Sequence, residues 1–154
     1  MPADLGDLVA TSRMLFPAGN RFAVDNMWTS APVEDLVPGL SKIAETLPPE
    51  PSHAMWMNWG PSPERPDMAY SLEDEVYIAL YASWTDPADD GRYAAWPGDR
   101  MREMEHLATG IQLADENLAQ RPAPFLRAEN MRRLEEIRAR YDPDGRFHAW
   151  MGRT

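Results

Sequence analysis

The segment 74–84 carries the most restrictive pattern in the sequence, a strict alternation of two kinds of side chain. One set of alternate positions is wholly apolar, while the other carries Tyr77 and Tyr81. Because successive side chains of a β-strand point to opposite faces, the segment predicts a strand whose apolar face packs on helices. The opposite side, which we call the tyrosine face, is expected to meet something partly polar. The apolar positions are Val76, Ile78, Leu80, Ala82 and Trp84.

Further segments of the chain predict the remaining elements. Alternation and aromatic content predict strands, whereas apolar residues three and four positions apart predict helices. Asp86, followed by Pro87, has the residue types that are typical of a helix start. The other predicted strands span 21–29, 53–59 and 111–114, and the predicted helices span 33–47, 86–108 and 124–141.

These elements predict the α+β fold class. Their order is β-α-β-β-α-β followed by a helix, which is the order of ferredoxin-like split βαβ folds. The order implies an antiparallel sheet with helices on one face and an extra C-terminal helix, so that the tyrosine face is left bare. We expect residues 1–20 to form a helical lead-in and residues 21–154 to form a single ferredoxin-like domain. A bare aromatic face needs a ligand, a partner or a second copy of itself.

Composition and charge exclude several classes of function. The 154 residues include no cysteine, which excludes disulfides, zinc thiolate sites and cysteine nucleophiles. A net charge of −10 argues against nucleic acid as a partner. No apolar run approaches the roughly 20 residues that span a bilayer, so we expect no membrane partner and a cytoplasmic location. The three histidines are far apart in the sequence, and no metal site is predicted.

Three residues are candidates for catalysis. Asp25 lies in the middle of a predicted strand, where aspartate is disfavoured, so it belongs either to a solvated edge or to a pocket. Tyr77 and Tyr81 are two strand positions apart on one face and can hydrogen-bond or deprotonate a substrate. Aromatic cover for a dimer interface explains the two tyrosines equally well.

Aromatic and polar residues of the predicted strands are candidates for substrate binding. Trp28 and Trp56 can line an apolar pocket for a hydrophobic small molecule, although burial in an interface explains them as well. Asn58 belongs to the same strand as Trp56. His53 begins that strand and has an imidazole that can act as a base near neutral pH, with a structural role at a strand end as the alternative.

Two motifs resemble berberine-bridge-enzyme-like, FAD-linked oxidoreductases. Residues 69–90, ending in Trp-Thr-Asp-Pro-Ala-Asp-Asp, are similar to the strand-to-helix junction of the substrate domain in these enzymes. Residues 134–147, ending in Tyr-Asp-Pro-Asp-Gly-Arg-Phe, are similar to their C-terminal helix and the turn that follows it. The resemblance begins near residue 17 and covers most of the remaining chain. It implies an oxidoreductase-derived substrate domain for a hydrophobic small molecule.

The sequence also departs from this family. It contains neither the N-terminal FAD-binding region nor a Gly-rich pyrophosphate loop, so no cofactor is predicted within the chain. Many members have a Tyr-x-Asn segment facing the flavin, where this sequence has Ile-Gln-Leu-Ala at 111–114. Gln112 of this segment is therefore a candidate for substrate binding, and no residue is predicted to contact a cofactor.

Three functions remain open at this point. In the first, the chain is the substrate domain of a split oxidoreductase and forms a heteromer with a flavin-binding subunit that supplies FAD. In the second, it acts alone as a cofactor-free homodimeric enzyme of the cyclase or isomerase type. In the third, it is a non-catalytic module that binds a small molecule.

Overall fold

The computed structural model describes residues 4–61 and 68–148, which form an α+β fold of the ferredoxin-like type. This confirms the predicted fold class. The three β-strands and five α-helices of these residues follow the predicted order, apart from the last strand. The strands are β1 (Arg21–Thr29), β2 (His53–Asn58) and β3 (Val76–Trp84). The helices are α1 (Leu5–Leu15), α2 (Val33–Thr46), α3 (Asp90–Tyr93), α4 (Trp96–Glu103) and α5 (Ala128–Tyr141).

The sheet is antiparallel and has the strand order β1-β3-β2. Strand β3 lies in the centre, which explains why it is buried along nearly its whole length. In the register of the sheet, Met27 of β1 pairs with Ile78, and His53 of β2 pairs with Tyr81. Because directly paired residues share a face, this register determines which candidate residues can meet.

One face of the sheet packs on the helices, as the alternation in β3 predicts. Its apolar positions form a single buried cluster with Leu36 and Ile43 of α2 and with Met101 of α4. Helix α2 continues through Pro38, where the sequence predicts a kink or a restart. Asp86 caps a 3₁₀ turn, Pro87–Asp89, and the break before α4 comes at residues 94–95 because Pro97 occupies the first turn of that helix.

The predicted fourth strand at 111–114 is reduced to a single β-bridge, between Trp28 and Gly110. After the bridge the chain turns into a 3₁₀ segment, Leu113–Asp115. A Cβ at Gly110 would lie 2.0 Å from Leu72 Cδ2 and 2.6 Å from the carbonyl oxygen of Pro124, so only glycine fits at this crossing. The prediction of a strand here was wrong. Backbone groups of this segment hydrogen-bond to the side chain of Asn26 rather than to the backbone of a neighbouring strand.

The two ends of the described chain lie outside the main core. Helix α1 begins with a capping box between Asp4 and Asp7, and none of its residues is buried. Helix α5 packs Met131 on a second, smaller core with Ile111 and Phe125. Over the described ranges, no helix combines the length and apolar character required to cross a membrane.

An exposed ion pair joins β1 to the start of α3. Arg21 Nε lies 2.5 Å from Asp90 Oδ1, and the indole N–H of Trp84 donates to the same oxygen at 2.7 Å. The Arg21 guanidinium and then the Trp84 hydrogen bond hold the pKa of Asp90 below its usual value of 3.8. The stabilisation is therefore complete above pH 3.8 and is lost as the pH falls through the lower folded-state pKa.

We predict that Asp90→Asn lowers the unfolding temperature slightly at pH 7 and has a smaller effect at pH 2, where protonation of the carboxyl weakens the pair. The effect is small because the pair is open to solvent. Thermal unfolding of both proteins, followed by circular dichroism at the two pH values, checks this. An equal deficit at pH 2 and pH 7 would contradict the assignment of the effect to the ionised carboxylate.

Candidate functional site

Two phenols of the tyrosine face converge on one carboxylate. The hydroxyl of Tyr77 donates to Asp115 Oδ2 at 2.7 Å, and Tyr81 lies close enough for Asp115 to raise its pKa. The two tyrosines are buried, with exposed fractions of 2% and 8%, whereas Asp115 is half-buried at the end of its 3₁₀ turn. The tyrosine face is therefore not bare, because this turn and its neighbours cover it.

Asn26 holds the turn that carries Asp115. Its side-chain amide donates to the carbonyl oxygens of Gln112 (3.0 Å) and Asp115 (2.6 Å), and its Oδ1 accepts from the Gln112 N–H at 2.7 Å. These three bonds satisfy backbone groups that a fourth strand would otherwise have paired. A buried side chain of β1 thus determines where the carboxylate stands.

Burial and the nearby carboxylate keep both tyrosines protonated. Desolvation raises the pKa of Tyr77 far above 10, and the hydrogen bond and negative charge of Asp115 raise it further. The pKa of Tyr81 is raised by the same causes in the same order. At neutral pH the phenols are therefore hydrogen-bond donors, and the Asp115 carboxylate beside them is a hydrogen-bond acceptor.

Aromatic rings flank this carboxylate cluster on both sides. His53 stacks on Tyr81 with ring centroids 4.6 Å apart, and Phe16 meets Tyr81 edge-on at 5.4 Å. The Nδ1 of His53 lies 3.0 Å from the carbonyl oxygen of Pro51, which requires a proton on Nδ1. In the neutral imidazole this leaves Nε2 as a hydrogen-bond acceptor.

Trp28 forms the other flank and carries an unsatisfied donor. Its ring packs 4.8 Å from that of Tyr77 and 5.4 Å from that of Trp59. The side chain is fully buried, yet its indole N–H has no hydrogen-bond partner among the described residues. A buried donor without a partner costs about 1–3 kcal/mol, so an acceptor supplied by a bound molecule would be favourable here.

The structure places Asp25 away from the tyrosines. Asp25 pairs with Leu80 and therefore lies on the helix face, opposite Tyr77 and Tyr81. Its two oxygens accept a bidentate pair from Arg121, at 2.5 and 2.8 Å, and Oδ1 also accepts from the backbone N–H of Asn26. Both charged groups are buried. The sequence interpretation of Asp25 as part of one pocket with the tyrosines does not fit this geometry.

Trp56 and Asn58 also lie on the helix face, but at its open edge. They alternate with the half-buried residues of β2, and the indole N–H of Trp56 donates to Asn58 Oδ1 at 2.9 Å. Trp56 is 39% exposed, because the helices cover β1 and β3 and do not reach this edge strand. Of the predicted substrate-binding residues, the structure brings only Trp28 and His53 to the tyrosine face.

Gln112 stands on the other side of the 3₁₀ turn from the tyrosines. Its backbone is held by Asn26, and the residue lines an apolar cavity of about 350 Å³ with Phe125 and Leu134. The turn Leu113–Asp115 thus contributes to two places. Its residues Leu113 and Ala114 line the cavity, and Asp115 accepts the hydrogen bond of Tyr77.

Sequence reasoning did not single out Asp115. The signal for Asp115 was its position directly after a predicted strand, where a short acidic residue can turn back over the sheet. Trp59, which can line an apolar pocket according to the same sequence reasoning as Trp28 and Trp56, packs on Trp28. No group of three or more potential metal ligands occurs in the parts of the chain that the structure describes.

The described residues do not fit the dinucleotide part of a flavin cofactor. A pyrophosphate site needs glycines between a strand and a helix N-terminus, where backbone N–H groups are free. Here Gly98 and Gly110 face protein atoms, while Gly19, Gly60 and Gly145 have positive φ in isolated turns. The described residues therefore offer no pyrophosphate site for FAD.

Comparison with known proteins points to FAD-linked oxidoreductases. The chain is 26% identical over 133 residues to the FAD-linked oxidoreductase nodO of Hypoxylon pulicicidum, covering 85% of this chain and 30% of that protein. It is also 26% identical to janO of Penicillium janthinellum and to ptmO of Penicillium ochrochloron, covering 86% and 96% of this chain. The chain spans about a third of the length of these relatives. No protein-family model matches the sequence.

Proposed function

We propose that this chain is the substrate domain of an FAD-linked oxidoreductase and acts on a hydrophobic small molecule together with a separate flavin-binding subunit. The similarity to FAD-linked oxidoreductases supports the class. The motifs at 69–90 and 134–147 favour the berberine-bridge-enzyme-like group within it. The 154 residues contain no Gly-rich pyrophosphate loop, so in this proposal FAD is held outside them.

The observation that carries the proposal is the convergence of Tyr77 and Tyr81 on Asp115. The phenol of Tyr77 donates its proton to the carboxylate and keeps its oxygen lone pairs for a substrate group, and Tyr81 lies near the same carboxylate. A substrate hydroxyl that donates to such a phenol can pass its proton on. The substrate O–H bond breaks as a new phenol O–H bond forms, and the original phenol proton moves to Asp115. The chain's own residues thereby orient the substrate and remove one proton.

The flanking rings serve binding rather than proton transfer. Trp28, Trp59 and Phe16 present apolar surface that excludes water from the cluster, and this strengthens its hydrogen bonds. Such a surface with few polar groups is typical of sites for hydrophobic small molecules.

Isolation of the tagged chain from its native host tests the flavin partner. We expect size-exclusion chromatography to give a complex heavier than a homodimer, with flavin absorbance in the visible range. A chain tagged in the same way and carrying Tyr141→Phe, at an exposed position of α5, is the matched control and should behave identically. A colourless homodimer that does not change when FAD is added would refute the proposal.

The same geometry favours a second candidate, a stand-alone homodimeric enzyme of the cyclase or isomerase type. Proton donors and a proton acceptor are complete within this chain, so proton transfer needs no cofactor. In that case the colourless homodimer should convert its substrate, and Asp115→Asn should lower turnover by about 10²–10⁴-fold. If Asp115→Asn leaves the function intact, the chain is a non-catalytic binding module.

A further inference from the structure

The cavity beside the 3₁₀ turn has the size and lining of a small-molecule site. Its volume of about 350 Å³ lies at the lower end of the range for ligand pockets, roughly 300–1,000 Å³. It lies between the second core under α5 and the turn that carries Asp115, and it is open on one side. The lining is almost entirely apolar and includes Ala69, Leu113, Ala114, Phe125, Leu126 and Leu134.

Two of the described residues that line the cavity, Gln112 and Tyr70, have polar groups in their side chains. The backbone N–H and carbonyl of Gln112 are both bonded to Asn26, so the position of the residue is determined by β1. Its carboxamide remains as a group that can both donate and accept. Tyr70, which also lines the cavity, directs its hydroxyl to Glu73 at 3.5 Å. The polar recognition in this cavity therefore falls to Gln112.

We propose that this cavity binds the apolar skeleton of a neutral small molecule that carries a carbonyl oxygen within reach of the Gln112 carboxamide. The occupant is a small molecule because the cavity is concave and holds too little volume for a protein segment with a polar backbone. A neutral ligand fits because none of the described residues that line the cavity is charged. The inference rests on the proposed function in one respect: we take the bound molecule to be the substrate of that function. The reason is that the turn lining the cavity also carries Asp115.

Two neutral fluorescent probes test the cavity on the chain alone, without any flavin. N-phenyl-1-naphthylamine is wholly apolar apart from its amine, and 6-propionyl-2-(dimethylamino)naphthalene adds a carbonyl. We expect both to bind with enhanced fluorescence. Ala114→Phe fills the cavity from the exposed turn and should weaken both at least tenfold, whereas Ala119→Phe, exposed and outside the lining, should change neither.

The variant Gln112→Leu separates the polar contact from the cavity itself. It should weaken the carbonyl probe about fivefold or more and leave the apolar probe unchanged, because one neutral hydrogen bond is lost. Equal binding of both probes by Ala114→Phe and the unchanged protein overturns the site, as does the absence of any binding. Probe binding by a colourless homodimer upholds the cavity while refuting the flavin partner, so the two proposals fail separately.

Discussion

Replacing Asp25 with alanine is expected to lower the free energy of unfolding by about 3–5 kcal/mol. The substitution leaves the Arg121 guanidinium buried without its partner, with 4% of its side chain exposed. Among the described residues, the Arg121 guanidinium would then keep its bond to the carbonyl oxygen of Asn26, at 2.7 Å. A buried charge cannot regain water without opening the structure, so the cost falls on the folded state. Urea denaturation of the variant and the unchanged protein measures it.

A double variant distinguishes the ion pair from simple loss of packing. Asp25→Leu with Arg121→Met removes both charges and should recover most of the lost stability, because apolar residues of similar volume often replace such pairs without penalty. Asp90→Asn, in the exposed pair with Arg21, is the matched single-charge control and should have a far smaller effect. If Asp25→Ala costs less than about 1 kcal/mol, Asp25 does not have the structural role assigned to it.

Raising the pH above 10 is expected to destabilise the protein steeply. Burial and Asp115 raise the folded-state pKa of both Tyr77 and Tyr81 above the ordinary value of 10.0. The stabilisation is complete below pH 10, where both states hold the phenol protons, and it is lost as the pH rises because only the unfolded state releases them. Each tyrosine contributes a loss of about 1.4 kcal/mol per pH unit. Urea denaturation between pH 8 and pH 11.5 measures the slope.

Single phenylalanine variants assign this slope to the two residues. Tyr77→Phe and Tyr81→Phe should each remove about half of it, whereas Tyr141→Phe, at a position 70% exposed, should leave it unchanged. Asp115→Asn should reduce the loss of stability at the highest pH values, because the negative charge that helps to raise both pKa values is gone. Phenolate absorbance at pH 10 in the folded protein that disappears in Tyr77→Phe or in Tyr81→Phe would contradict the buried state of that residue.

The central strand could be predicted because its pattern has a single solution. Because one side of the alternation is wholly apolar, that side must face the core. The apolar spacing around Leu36 and Ile43 predicts the helix that packs on it. The same holds for Trp84, whose parity in β3 puts it in the core. The sequence is sufficient to predict these segments, because the positions that the secondary structure places on the inner face are also the positions with apolar side chains.

Strand β1 has no such unique solution. Both of its sides contain apolar residues, among them Met27 on one side and Trp28 on the other, so its sequence does not say which side faces the helices. Only the pairing with β3 puts Asp25 opposite the tyrosines and Asn26 on their side. A shift of one residue in this register would exchange the two.

The sequence alone thus determined the α+β class, the strand that forms the centre of the sheet and the two tyrosines that share its second face. The tertiary structure decided which acid those tyrosines meet, since Asp115 reaches Tyr77 across 38 residues of chain. The side chain of Asn26 holds the segment that carries Asp115, because it hydrogen-bonds to backbone groups of Gln112 and Asp115. These bonds stand in place of the pairing that a fourth strand would have made. Contacts between residues distant in sequence depend on register and on side-chain hydrogen bonds, and neither leaves a periodic pattern in the sequence.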